Sequence, residues 1–202
     1  IAVDFSQRFY GTMIRIFCQF SLIAILLGVS QSANAASSEW VASGPNRVRL
    51  VVSDPASGDT SMRGVLDIDL APGWKTYWKD PGDAGVPLEF KIDGSDNVSG
   101  AKVEFPKPGR YDDGTTVWAG YDEPVQLPIR FDRPDPAKPG VLKAQVFLGV
   151  CDKICVPVQA DFEVPFGVAP SPVSDVFLVD QAFARLPAPA ASGNGLSAAM
   201  LK

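Results

Sequence analysis

Two cysteines, Cys151 and Cys155, are the residues best suited to chemistry in this sequence of 202 residues. Three residues separate them, and stretches that alternate apolar with polar residues lie on either side, at 141–150 and 156–164. This pattern predicts two strands joined by a tight hairpin. The two thiols would then be close enough to form a disulfide, provided that their Cβ atoms face each other.

A disulfide between these cysteines closes only a short loop, so it gains little from loop entropy and would stabilise the fold poorly. The same shortness can strain the bridge and make it easier to reduce. Lys153 would favour a neighbouring thiolate and Asp152 would disfavour it, so these residues leave open which sulfur attacks. Three uses of the pair remain: redox exchange, a structural staple in a non-catalytic adaptor, and Cu(I) binding by two thiolates.

The composition excludes several other functions. Histidine is absent, so neither a Ser-His-Asp or Cys-His catalytic unit nor a histidine-bearing zinc site can be built. A net charge of −5 argues against a nucleic-acid partner, which would require a basic face. We therefore predict protein partners, with no cofactor and no metal.

The N-terminal region has the pattern of an export signal. A short basic region opens with Met13-Ile14-Arg15, an apolar run follows, and Ala33-Asn34-Ala35 supply the small residues of a cleavage site. This pattern predicts a cleaved signal peptide over residues 13–35. Residues 1–12 would precede the true start, and Cys18 would be lost with the peptide. The apolar run is shorter than the roughly 20 residues needed to cross a bilayer, so the mature chain is predicted to have no transmembrane segment.

Export would deliver two cysteines to the oxidising periplasm, an even number suited to one bridge. The mature chain would begin at Ala36 and fold as one main domain over residues 36–170. A near-helical spacing of apolar residues then predicts a helix within 171–187. Residues 188–202 are rich in Pro, Ala, Gly and Ser, a composition typical of a flexible tail or linker.

The main domain reads as strands separated by Gly, Pro, Asp and Asn turns. About eight short strands at this spacing predict an all-β fold, an immunoglobulin-like antiparallel β-sandwich with a short C-terminal helix. The predicted strands cover residues 47–53, 64–70, 75–79, 88–92, 101–105, 125–131, 141–150 and 156–164.

Several segments outside the cysteine hairpin are also distinctive. They are GWKTYW at 73–78, PGDAGVP at 81–87, Gly120-Tyr121 and Leu127-Pro128. Together with the C-x3-C-x-P segment at 151–157, they resemble the N-terminal periplasmic domain of the DsbD/ScsB protein-disulfide reductases. The resemblance covers residues 45–166 and is strongest for the stand-alone and ScsB-type members.

The resemblance implies an immunoglobulin-like fold and a role as an electron relay. The domain would take electrons from a membrane-embedded thiol reductase and pass them to oxidised periplasmic proteins of the thioredoxin fold. Cys151 and Cys155 would be the catalytic residues, cycling between dithiol and disulfide. By analogy with the family, Cys155 would attack and Cys151 would resolve.

The sequence departs from typical DsbD members in two places. Those members have five residues between their cysteines, and they carry an acidic pair followed by a phenylalanine that caps the site. Asp112 and Asp113 match the acidic pair, but Gly114 stands at the capping position, so any shielding falls to Trp118 or Tyr121. The acidic pair could manage the proton of a nearby thiol, or could form a solvated turn.

Aromatic residues are the remaining candidates for supporting the site. Trp74, Tyr77, Trp118 and Tyr121 could form a wall around the cysteines or a docking face, since Tyr and Trp are favoured at interfaces. They could equally fill the core. Lys75 is predicted to lie on a solvated strand face.

Overall fold

The computed structural model describes residues 37–56, 58–82, 85–112 and 114–188. Within them the elements are β1 Val41–Ser43, β2 Asn46–Ser53, β3 Ser61–Asp69, β4 Lys75–Gly82, β5 Glu89–Lys91, β6 Gly100–Val103, β7 Gly109–Asp112, β8 Val117–Tyr121, β9 Val125–Asp132, β10 Gly140–Cys151, β11 Cys155–Phe166 and α1 Val173–Ala184. The predicted signal peptide, most of the predicted tail and Asp113 lie outside the described residues. No helix in the described part is long and apolar enough to cross a membrane.

The strands form two antiparallel sheets. Sheet A has the order β1-β2-β3-β9-β6, and sheet B has the order β11-β10-β4-β8-β7 with β5 also paired to β10. The sheets face each other across one apolar core to which both contribute. This arrangement, together with the short helix that follows it, confirms the predicted all-β sandwich with a C-terminal helix.

Alternation along β10 fixes which side chains face the core. Every second residue from Leu142 to Val150 is buried between the sheets. Successive side chains of a strand point to opposite faces, so the intervening residues lie on the outer face of sheet B. Cys151 is the last residue of that outward-facing set.

The helix covers the other side of the sandwich. Val179 and Ala182 of α1 pack against Val51 and Val65, the outward-facing residues of β2 and β3. An ion pair of 2.6 Å between Arg63 and Asp180 joins the same two elements. The outer face of sheet A is therefore occupied by α1, whereas the cysteines lie on the outer face of sheet B.

Three strands, β1, β7 and β8, were not predicted. Each has at most five residues, too few to show a clear alternation beside their Gly and Pro neighbours. The structure also extends β4 through Pro81 to Gly82, where the pairing with β8 shifts between Tyr77 and Gly82. This irregularity accommodates a proline that a regular inner strand would not tolerate.

The contact between β4 and β8 depends on Gly120. A Cβ atom at that position would collide with the carbonyl oxygen of Thr76, which belongs to the β4 backbone and cannot swing aside. We expect Gly120→Ala to lower the free energy of unfolding by about 2 kcal/mol or more, measured by urea denaturation. Gly100→Ala is the matched control, because its nearest neighbour is the movable carboxylate of Asp132. Equal stability of the two variants would contradict this account.

Candidate redox site

The β10–β11 hairpin places the two cysteines directly opposite each other. Its register runs without interruption from Gly140 paired with Phe166 to Cys151 paired with Cys155. A disulfide joins the two cysteines across a Cα–Cα distance of 4.0 Å, as the sequence predicts. The three loop residues, 152–154, are all exposed. Within the loop, the backbone N–H of Asp152 donates to the carbonyl oxygen of Ile154 at 3.2 Å.

The two sulfur-bearing residues differ sharply in their access to solvent. Cys151 is 1% exposed and belongs to a small apolar cluster with Tyr77 and Trp118, whereas Cys155 is exposed. A thiolate that approaches from solvent therefore meets Cys155 first. The buried partner can be reached only after the surrounding side chains move.

Tyr77 is the polar neighbour of the disulfide. Its hydroxyl donates a hydrogen bond to Cys151 Sγ at 3.2 Å and lies 3.7 Å from Cys155 Sγ. Strand β4 brings it there, since Lys75 pairs with Cys151 and Tyr77 stands two residues further on, on the same face. Burial raises the pKa of Tyr77 above its usual value, so the hydroxyl keeps its proton at neutral pH.

The connection between β4 and β10 is fastened from the core side as well. Thr76, which pairs with Val150, is buried, and its hydroxyl donates to the carbonyl oxygen of Gly149 at 2.9 Å. Buried polar groups stabilise a structure when they find such a partner. Because Tyr77 follows Thr76 in β4, this bond also fixes the position of Tyr77 beside the sulfur atoms.

Two further aromatic residues build a wall behind Tyr77. Trp118 meets Tyr77 edge to face, with 5.9 Å between ring centroids, and Tyr111 stacks on Trp118 at 4.0 Å. The Tyr111 hydroxyl donates to Asp122 at 2.5 Å. Burial and this hydrogen bond raise the pKa of Tyr111 to about 12. We call Tyr77, Trp118 and Tyr111 the aromatic wall.

Lys75 lies against the aromatic wall and is only half-buried. Its ammonium nitrogen is 4.3 Å from the centroid of the Trp118 ring, a geometry in which the ring face attracts the cation. Lys75 was predicted to lie on a solvated strand face, but one side of it packs on Trp118. The contact places a fixed positive charge at the edge of the site.

Gly85 and Val86, which lie between β4 and β5 in the sequence, also border the site. A Cβ atom on Gly149 would lie 2.8 Å from the Val86 Cβ, so Val86 lies directly over Gly149 on the outer face of sheet B. One on Gly85 would lie 2.8 Å from Cδ1 of Tyr77. Gly85 therefore lies beside the aromatic wall, and Val86 lies beside the hairpin.

The other predicted site residues lie elsewhere. Trp74 packs with the main core, and so does Tyr121, whose hydroxyl donates to the carbonyl oxygen of Pro106 at 2.9 Å. Asp112 is exposed, and its carboxylate accepts a hydrogen bond from the backbone N–H of Gly114 at 2.9 Å. The structure thus brings Tyr77 and Trp118 to the cysteines and places Trp74 and Tyr121 on the core side.

Tyr111 is a site residue that sequence reasoning missed. It lies on the short strand β7, directly opposite Trp118 in the register with β8. The available signal was the pairing of an aromatic at 111 with another at 118 across the Gly-containing turn, because facing aromatics stabilise antiparallel pairs. That signal required β7 and β8 to be recognised as a hairpin.

This combination defines a class of protein: an antiparallel β-sandwich that carries an asymmetrically exposed disulfide at the tip of a hairpin. The sequence profile of the family described as "Thiol:disulfide interchange protein DsbD, N-terminal" matches residues 47–166. The chain belongs to this family.

Solved structures were compared with the chain as well, and one of them, a ScsB domain, supports the same assignment. The chain is similar to the N-terminal periplasmic domain of ScsB from Proteus mirabilis, with 26% identity and a TM-score of 0.60. That similarity covers 76% of this chain and 60% of the ScsB chain. It is also similar to the reduced DsbD N-terminal domain of Neisseria meningitidis, with 16% identity, a TM-score of 0.33, and coverage of 56% of this chain and 83% of that one. None of the curated proteins compared with the sequence matches it.

Reduction of the disulfide should leave the domain folded. The bridge closes a loop of a few residues, so its loss should lower the free energy of unfolding by at most about 2 kcal/mol. The hairpin register and the core remain to hold β10 and β11. The measurement is circular dichroism and urea denaturation with and without dithiothreitol. Cooperative unfolding on reduction at room temperature would instead support the structural-staple hypothesis.

Proposed function

We propose that this chain is a periplasmic thiol–disulfide exchange domain that relays electrons through Cys151 and Cys155. The observation that carries the proposal is the asymmetry of the disulfide. One sulfur-bearing residue is exposed at the hairpin tip, whereas the other is buried and accepts a hydrogen bond from Tyr77. An exchange site needs an accessible sulfur to attack and a leaving sulfur whose charge is stabilised.

The reduction step can be followed through these atoms. A thiolate of the electron donor attacks Cys155 Sγ, the bond between the two cysteines breaks, and its electron pair moves to Cys151 Sγ. Tyr77 donates its hydrogen bond to the thiolate that forms there, which then takes up a proton from solvent. A second donor thiolate attacks the mixed disulfide and releases Cys155. Two electrons have then passed to the domain, in which Cys151 carries a proton taken from solvent and Cys155 is a thiolate.

The reverse sequence would deliver the electrons. Cys155, now a thiolate, attacks an oxidised protein, and Cys151 resolves the mixed disulfide and restores the bridge. We infer from the family and from the ScsB likeness that the donor is a membrane-embedded thiol reductase. The acceptors are inferred to be oxidised periplasmic proteins of the thioredoxin fold. The predicted signal peptide over residues 13–35 would deliver the domain to that compartment.

Single cysteine variants should distinguish the attacking sulfur from the resolving one. Cys151→Ala leaves the exposed Cys155 free to attack but removes the thiol that resolves the intermediate. It should therefore accumulate a mixed disulfide with an oxidised thioredoxin-fold protein, seen as a reducible, partner-sized adduct on non-reducing gels. Cys155→Ala should form little adduct, because its remaining thiol is buried.

The control for this experiment is the fold of each variant, checked by circular dichroism. Absence of adduct from both folded variants with any oxidised periplasmic protein would contradict the relay. The non-catalytic adaptor hypothesis would then be preferred. Adduct formation by Cys155→Ala alone would reverse the assigned roles.

Removal of the Tyr77 hydroxyl should slow reduction without preventing the disulfide. In Tyr77→Phe the departing Cys151 thiolate loses a hydrogen bond worth about 1 kcal/mol, which corresponds to about a five-fold lower rate. The measurement is the second-order rate of reduction by dithiothreitol, followed by thiol alkylation.

Tyr121→Phe is the matched control. It removes the hydroxyl of a core tyrosine that donates to the carbonyl oxygen of Pro106 rather than to either sulfur. Its rate of reduction should equal that of the unsubstituted domain. Equal rates for all three proteins would show that Tyr77 packs against the disulfide without assisting its cleavage.

A further inference from the structure

A large apolar side chain projects from the tip of the hairpin. Ile154 is 72% exposed, although isoleucine is among the residues most often buried. The other large exposed apolar residues of the described chain are Val168, Val173 and Phe177, which lie in or just before α1. Ile154 is the one that adjoins the disulfide.

The hairpin holds Ile154 in a defined position. Its loop has three residues and is closed by Cys151 and Cys155, which are both the last register pair of β10 and β11 and the two ends of the disulfide. The bond from the Asp152 N–H to the Ile154 carbonyl oxygen braces the loop further. Because the backbone of a braced loop is already ordered, a partner that covers Ile154 needs to restrict only its side-chain rotamers.

The chemistry of exchange determines what must cover this side chain. In the mixed disulfide the partner's sulfur lies about 2 Å from Cys155 Sγ, and Ile154 is the preceding residue. The partner surface around its own reactive cysteine therefore comes within reach of Ile154. Val86 and Pro157 present further apolar surface near the hairpin, since the exposed Pro157 pairs with Gly149 and the half-buried Val86 lies over it.

The charges around the tip do not select a partner by themselves. Asp152 and Lys153 are both exposed and of opposite sign, so the loop carries no net charge. Burial of an apolar side chain is then the main favourable term available at this position. Burial of Ile154 therefore favours a partner whose surface next to the reactive cysteine is apolar.

We propose that Ile154 is a docking anchor that seats in an apolar recess beside the partner's reactive cysteine. It would make the domain selective for protein thiols over small ones. This inference rests on the proposed exchange function. The partner it fits is a redox protein whose reactive sulfur is bordered by apolar surface.

The test compares a protein reductant with a small one. The oxidised domain is reduced by thioredoxin or by dithiothreitol, and the remaining disulfide is followed by maleimide alkylation and gel shift. Ile154→Ser should lower the rate with thioredoxin by about ten-fold, equivalent to about 1.4 kcal/mol. The rate with dithiothreitol should stay within about two-fold, because a small reagent needs no docking surface.

Two control variants isolate the apolar contact. Ile154→Leu keeps an apolar side chain of the same size and should retain the rate with thioredoxin. Val173→Ser removes an apolar residue that is 85% exposed but lies on α1, on the opposite side of the sandwich, and should have no effect. An unchanged thioredoxin rate in Ile154→Ser, or an equal loss with both reductants, would overturn the docking role alone. Failure of both reductants to act on the unsubstituted domain would overturn the proposed function as well.

Discussion

The register of the β10–β11 hairpin is the constraint on which the site depends. Core packing fixes which residues of β10 face inward, because a slip of one residue would expose the whole apolar set from Leu142 to Val150. With that register fixed, Cys151 must face outward and Cys155 must stand opposite it. The disulfide therefore follows from the core of the sandwich, although it contributes little to holding that core together.

Several of these features could be predicted from the sequence and others could not. Long alternating segments identified β2, β3, β9, β10 and β11, and the spacing of the cysteines predicted their bridge. Because side chains alternate between the two faces of a strand, Trp74 and Tyr77 are expected on opposite faces. Deciding which of them faces the sulfur atoms requires the pairing of Lys75 with Cys151. Tyr111 could not be found because its strand is four residues long. Its role comes from a partner strand rather than from its own pattern.

The aromatic wall explains how one sulfur is buried at the edge of a sheet. A cysteine on an outer strand face would normally be exposed, yet Cys151 is covered by Tyr77, which Trp118 and Tyr111 support in turn. Each of these rings stands on a strand of sheet B. The shield is consequently anchored in sheet B, and it covers Cys151 while leaving Cys155 open.

Typical DsbD members carry a phenylalanine cap, whereas this chain has Gly114 at the capping position and covers Cys151 with the aromatic wall. Gly114 has no side chain, and a Cβ added there would meet nothing within 4 Å, so this position contributes no cover to the disulfide. The aromatic wall is then what covers the disulfide, and it buries Cys151 but not Cys155. A small oxidant or reductant can reach Cys155, whereas Cys151 lies behind Tyr77. Under the proposed function, a partner that packs on the tip would hold its own sulfur at Cys155 until the second exchange step, and this would favour exchange with proteins over exchange with small thiols.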